Sequence, residues 1–361
     1  MTRPTSEESW PVPVFKNSMI GLMITLKSMP NRVVQKAKAQ PPLPIRNGLN
    51  PSRVILTQDQ EPITAGELVE YLIGTQRHRN PLDDAAALQK RFTDGEVVNL
   101  WGTPYAPSDI LTPGEDIWFY RMPAAERPVP YKIHIIHEDD DLLVIDKPPY
   151  LATMPRGRHI TETALVKMRV LTGNQDLTPA HRLDRLTSGV LVLVKRPELR
   201  GRYQTLFARR EATKTYEAIG DFKPELVPDD EAIFWESRIE KEPGQVQAFV
   251  TDGEPNARTQ VLSVIPVTSQ EQSEMEAMHG PLAPQARYVL GPETGKTHQL
   301  RIHMRDAGVP ILGDPLYPVL HAVDDEDYKT PMHLIARSLT FIDPQTNLLR
   351  TFSSVRSTGS L

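Results

Sequence analysis

The sequence predicts an α+β protein built from a small unit and a larger one. Three observations point there: aliphatic runs of strand length at Leu142–Asp146 and Val190–Val194, amphipathic stretches kept apart from them, and a proline-spaced break at 123–130. A repeating strand–helix–strand wind is not apparent, nor is an internal repeat, a Gly-rich phosphate loop or a low-complexity tract.

Residues 1–50 hold seven prolines and little periodicity, the pattern of a flexible or loosely docked extension, and Met19, Met23 and Met29 leave the start of translation open. The small unit is expected over 51–122. Thr64 followed by Glu67 forms a capping box, Leu68 and Leu72 continue the apolar stripe, and Gly74 offers a stop. Asp83 or Asp84 caps a second helix carrying Leu88 and Phe92, ended by Gly95. Glu96–Trp101 and Asp116–Tyr120 read as short strands closing a hairpin. After the linker, 131–361 forms the large unit. Here Leu142–Asp146 is a short strand stopped by Lys147-Pro148-Pro149, and 161–171 is helical. Val190–Val194, five consecutive aliphatic residues, suits a strand covered on both faces. Residues 199–210 space Leu199, Tyr203, Leu206 and Phe207 as a helix, while Thr213–Ile219 and Ala286–Leu290 read as strands. Thr297 is placed to cap a helix ending at Gly308, with His298, Arg301 and Arg305 on one face.

Composition narrows the chemistry. Hydrophobic residues make up 39% of 361, enough for a substantial core. Cysteine is absent, which removes disulfides, thiol nucleophiles and thiolate metal sites and suits the cytoplasm. The apolar stretch Met19–Leu26 is far shorter than the roughly 18–20 residues a membrane span needs, and no cleavage pattern follows it. The net charge of -5 hides opposed blocks. Nine Lys or Arg stand against four acids in 181–220, a local +5, and three against ten in 221–256, a local -7. The first block could face phosphates, or it could be an ordinary solvated helix face.

Chemistry concentrates in HRLDRLTSG at 181–189 and GKTHQLRIH at 295–303. Asp184 lies between Arg182 and Arg185, where neighbouring positive charge favours the ionised carboxylate that a nucleophile or base requires. A turn-capping aspartate before a strand is the plainer reading of the same residue. His181 near Asp184, and His298 near His303, invite metal or triad readings, but a metal site wants three or four ligands and no third is evident. Loop-fixing hydrogen bonds are the simpler role for these histidines.

HRLDRLTSG with the run VLVLVKR, then KTYEAIG at 214–220 and GKTHQLRIHMRDAGVPILGDPLY at 295–317, resembles the RluA-type pseudouridine synthases. DDLLVIDKPPY at 140–150 is similar to that family's lead-in strand, and the likeness runs over roughly 131–320. The resemblance implies a mixed, largely antiparallel central sheet. It also implies isomerisation of uridine in RNA, in which the bond from ribose to base nitrogen breaks and the base rejoins through carbon 5. Substrate and product are isomers, so no metal, cofactor or nucleotide is expected.

Residue by residue, the resemblance makes Asp184 the essential aspartate, either attacking the ribose anomeric carbon or abstracting a ribose proton; both routes stay open. It sets Tyr216 against the target base, where it could stack or take the carbon 5 proton. It pairs Arg301 with Asp184, 117 positions away, and gives Arg182 the eversion of the target nucleotide. Arg185, Lys147, Lys214, Lys296 and His298 complete the expected substrate contacts. Lys296 departs from the family's frequent arginine and lacks its planar fork. The small unit resembles, through DGEVVN and LTPGEDIWFY, the two-helix and hairpin RNA-binding module first known from a small-subunit ribosomal protein.

The expected partner is therefore RNA, large-subunit ribosomal RNA ahead of transfer RNA, handled by a monomer. A catalytically idle assembly factor on the same fold is the alternative from another class. A hydrolase using His181 and Asp184 is a third, though no nucleophile elbow supports it.

Overall fold

The computed structural model describes residues 41–321 and 326–357. Of the Pro-rich extension, 1–40 lie outside the described residues. Residues 41–50 lie against folded elements: Leu43 packs with Val98 and Tyr120, the Tyr120 hydroxyl donates to the Pro44 carbonyl at 2.7 Å, and Arg169 donates to the Gly48 carbonyl at 3.0 Å.

The small unit contains β1 (Ser52–Ile55), β2 (Ile63–Thr64), α1 (Ala65–Gly74), α2 (Ala85–Thr93), β3 (Val97–Val98), β4 (Ile110–Leu111) and β5 (Asp116–Phe119). The Thr64–Glu67 capping box starts α1, and the Asp84 carboxylate starts α2 by accepting from the Ala87 amide at 3.0 Å. Antiparallel pairing orders one sheet β1-β5-β3, while β2 pairs with β4. The expected strand 96–101 is only two residues long. Asn99 turns the chain, its Oδ1 accepting from the Trp101 and Thr103 amides, so the backbone leaves the sheet there. Leu68, Val69, Phe92, Ile117 and Phe119 fill a core separate from that of the large unit.

The large unit runs β6 (His134–Glu138), β7 (Leu142–Lys147), α3 (Ala164–Thr172), β8 (Thr178–Pro179), β9 (Ser188–Val194), α4 (Arg200–Ala208), β10 (Ala212–Asp221), β11 (Ile233–Glu240), β12 (Phe249–Thr251), β13 (Ala257–Pro266), α5 (Ser269–His279), β14 (Gln285–Pro292), α6 (Gln299–Asp306), β15 (Leu334–Ile342) and β16 (Leu349–Ser353). These strands make one eleven-stranded sheet with the path β12-β11-β13-β14-β10-β15-β9-β7-β6; β16 adds to β15 and β8 to β9. Among the described strands only β15 and β9 pair in parallel, so the mixed, largely antiparallel sheet is as expected. The aliphatic run of β9 is buried throughout, with Leu191 and Leu193 in one core layer and Val190, Val192 and Val194 in the other.

Gly189 makes the parallel join possible. Its φ is +109°, and a Cβ there would sit 2.3 Å from the Ala336 carbonyl oxygen. Immediately before it, the chain from Ala180 to Thr187 crosses the end of the sheet as a loop, and that loop carries Asp184.

Candidate active site

Two cavities meet at Asp184. One, of about 680 Å³, lies between the 181–187 loop, β10 and the start of α6; the other, of about 910 Å³, lies against Tyr150, α5 and the 310–318 segment. Asp184, His298 and Arg301 line both. In the first, six Lys or Arg side chains (Arg156, Arg182, Lys214, Lys241, Lys296, Arg301) surround one carboxylate, Asp184. That is a site for a polyanion with a single acid at its base. The second is more apolar and carries five carboxylates, Asp184 among them.

The loop is held rigidly while its carboxylate stays free. The Thr153 hydroxyl donates to the Leu183 carbonyl at 2.8 Å and accepts from the Leu183 amide at 3.1 Å. Leu183 and Leu186 are buried on either side of Asp184, and the Asp184 carbonyl accepts from the Thr187 amide. Lys147 completes the scaffold. Fully buried at the end of β7, it donates to the carbonyls of Pro148 and Leu151, both at 2.8 Å, and of Arg185 at 3.1 Å. Burial drives its pKa well below the usual lysine value. This corrects the expectation of a substrate-binding Lys147: its three donors are spent tying two loops together, and none reaches a phosphate.

Tyr216 stands on β10 where the pairing with β15 shifts register, Thr215 facing Ser338 but Tyr216 facing Ala336. Such a bulge re-aims a side chain. Here the ring lines the same cavity as Asp184, half-buried against Leu334 and its core neighbours. Burial raises the phenol pKa, and the Asp184 carboxylate raises it further, so the hydroxyl keeps its proton at neutral pH.

Arg301 differs from the expectation. Its guanidinium is forked onto Asp314, Nε to Oδ2 at 2.7 Å and Nη2 to Oδ1 at 2.5 Å, with both side chains buried. Asp184 forms no ion pair within 4 Å among the described residues; it acts on Arg301 through its field alone. The predicted Arg301–Asp184 pair is therefore replaced by Arg301–Asp314. A fork onto a carboxylate on the next segment is satisfied within the helix–loop unit, which leaves Asp184 uncommitted. Asp314 also accepts from the amides of Leu316 and Tyr317, which shapes the turn behind it. Asp314 was visible in GDPLY, but a lone aspartate after glycine signals only a turn.

His298, not Thr297, is the residue before α6. Its φ of +59° is left-handed and its side chain makes no cap; Nδ1 lies 3.0 Å from the Tyr317 hydroxyl. Gln299 satisfies the loop instead, accepting from the Lys296 amide and the Thr294 hydroxyl. Burial lowers the His298 pKa to about 4, so the ring is neutral at pH 7. His181 accepts from the Val192 amide, and His303 bridges Ser237 and Thr259, so these histidines fix loops and strands. Among the described residues no cluster of three or more His, Asp or Glu could hold a metal, and no helix is long and apolar enough to cross a membrane.

The remaining cations divide. Arg182 and Lys296 are exposed at the cavity mouth, and Lys214 lies 5.3 Å from the Phe207 ring centroid with its pKa lowered by burial. Arg185 is committed elsewhere. It is ion-paired to Glu326, bonded to the Tyr150 carbonyl at 3.3 Å, and lies on the side of the second cavity. Expected as a substrate contact, it instead anchors the 326–330 segment.

Residues 141–306 match the RNA pseudouridylate synthase family. The chain is 30% identical to the dual-specificity RNA pseudouridine synthase RluA of Haemophilus influenzae, covering 62% of this chain and 93% of that one. It is 29% identical to the ribosomal large subunit pseudouridine synthase D of Neisseria meningitidis, over 59% of this chain and 54% of the relative. It is 31% identical to the mitochondrial tRNA pseudouridine(32) synthase of Saccharomyces cerevisiae, over 58% and 41%. The chain thus spans about half the length of the latter two. The shared region contains the Asp184 loop, the Tyr216 strand and the Arg301 helix, and this chain belongs to the RluA-type RNA pseudouridine synthases.

Proposed function

We propose that this chain converts uridine to pseudouridine in structured RNA, with Asp184 as the reacting carboxylate. The observation that carries the reading is an unpaired carboxylate on a rigid loop at the base of a groove lined by six cations, with a protonated phenol beside it. The exposed cations Arg156, Arg182 and Lys296 bind phosphates; Asp184 is the one acid that the ribose of a bound nucleotide meets. In the reaction the bond from the anomeric carbon to N1 breaks, the base turns and a bond to carbon 5 forms. N1 takes up a proton and carbon 5 gives one up. Asp184 acts on the ribose by attack or by proton abstraction, and Tyr216 lies against the base, its hydroxyl within the reaction space. Arg301, held by Asp314, presents a fixed positive charge to the Asp184 carboxylate. Arg182, exposed at the mouth and free of ion pairs among the described residues, everts the nucleotide, since a stacked base cannot reach the groove.

The substrate we favour is large-subunit ribosomal RNA, because a helper unit ahead of the synthase fold suits a large structured target. The relatives include one named for large-subunit RNA and one for transfer RNA, so the target is decided by mapping pseudouridines in total RNA from a deletion strain. A monomer acting in the cytoplasm completes the reading. Asp184→Asn is expected to keep the fold and abolish tritium release from carbon 5 of labelled RNA; unchanged turnover sinks the proposal. Normal RNA maturation in that variant, against a defect in the deletion strain, would favour the assembly-factor alternative.

A further inference from the structure

A third cavity, of about 700 Å³, lies between the small unit and the synthase fold. Its walls come from 46–52, α2, and 120–123 on one side, and from Met154, Pro155, Ile160, Leu165 and Arg169 on the other. Met154 also lines the catalytic groove, as does Arg156 one residue beyond Pro155. The Met154–Arg156 segment thus borders both spaces. It is fixed to the active loop, because Thr153 holds Leu183 by two hydrogen bonds, setting Met154 beside Arg182 and Asp184.

Charge continues across this segment. Several basic groups of the interdomain cleft are neutralised locally: Arg46 by Glu96, Lys90 by Asp94 and Arg91 by Asp83. Arg121 is not. It forms no ion pair within 4 Å among the described residues and lies 5.8 Å from the Phe119 ring centroid. Arg156 is likewise exposed and free of ion pairs among the described residues. The cleft also offers apolar side chains, Met154 itself exposed, with Met122, Ile160 and Leu165. Unpaired cations spaced along apolar walls suit a ligand that alternates phosphates with flat apolar faces.

We propose that the interdomain cleft is a second RNA site that seats the single-stranded flank of the target nucleotide. The strand passes from the catalytic groove over Met154, with phosphates on Arg156 and Arg121 and about one or two bases against the apolar wall. The inference rests on the RNA reading above and extends it to residues outside the synthase fold. It makes the small unit a determinant of which RNA is accepted rather than a tether.

The test uses the full chain and two fluorescent oligouridylates, one of about 20 nucleotides and one of about 4, the latter long enough only for the catalytic groove. Binding is followed by anisotropy across a salt series. For the long probe, Arg121→Ala and Arg156→Ala are each expected to lower the slope of log affinity against log salt by about 0.7, the value of one phosphate contact to a single strand. For the short probe, Arg121→Ala is expected to change nothing. Both residues are exposed and neither forms an ion pair among the described residues, so thermal unfolding should match the wild type. A wild-type slope in Arg121→Ala with the long probe, alongside a reduced slope in Arg182→Ala, overturns the cleft and leaves the catalytic reading standing. Salt-insensitive binding of both probes by the wild type overturns the RNA reading and the cleft with it.

Discussion

Replacing Asp314 by asparagine tests whether Arg301 owes its position to that carboxylate. The side chains of Arg301 and Asp314 are 2% and 0% exposed, and two hydrogen bonds join them. Asparagine keeps one oxygen for the Leu316 and Tyr317 amides but removes the charge and one arm of the fork. Removing one partner of a buried pair costs about 3–5 kcal/mol, because the remaining charge stays desolvated without compensation. For a unit of this size that is about 10 °C in Tm. Thermal unfolding monitored by circular dichroism measures it. A double variant, Arg301→Met with Asp314→Leu, should recover much of the loss, since an apolar pair of similar volume avoids the buried charge. It should still lack activity, because the field on Asp184 is gone. A variant Asp314→Asn within about 1 kcal/mol of wild type would show that Arg301 is held by something else and refute the reasoning.

Two further outcomes follow from the geometry. Gly189→Ala places a Cβ 2.3 Å from the Ala336 carbonyl oxygen at a positive φ, where backbone and not a pliable side chain must yield; a loss of about 3 kcal/mol or more in urea unfolding is expected, and a loss under about 1 would contradict the close approach. His303, buried between Ser237 and Thr259, has its pKa lowered by burial to about 4. The unfolded chain therefore binds a proton near pH 6.5 that the folded chain refuses until about pH 4, so stability rises with pH through that window and falls on acidification. His303→Gln should flatten the dependence by about one proton between those values; an unaltered slope would mean His303 does not contribute.

Local signals carried most elements. The Thr64–Glu67 box, the Asp84 cap and the aliphatic β9 each announce themselves within a few residues, because capping and burial on both faces are decided by near neighbours. The strands β11, β13, β15 and β16 and helix α5 were not read from the sequence. Their burial is partial or their pattern mixed, and pairing across the sheet rather than local preference makes them strands. At the site, Asp184, Tyr216, Arg182 and Lys296 line one groove. Lys147, Arg185 and Arg301 carry charge that their motifs suggested would meet substrate or Asp184, yet each is satisfied inside the protein. Partners such as Asp314 and Glu326, and the carbonyls around Lys147, come from segments whose approach no short pattern encodes.

By itself the sequence determined the fold class and the family and singled out Asp184 as the carboxylate we propose reacts, because these rest on residue type and order along short stretches. Only the tertiary structure decided which charges are free. A guanidinium or ammonium reads the same in a motif whether it faces a phosphate or a buried carboxylate, and the difference depends on desolvation and on groups brought near by the fold. That is why Asp184 stands unpaired while Arg301 does not, and why the segment of Met154 and Arg156, unremarkable in the chain, borders two cavities.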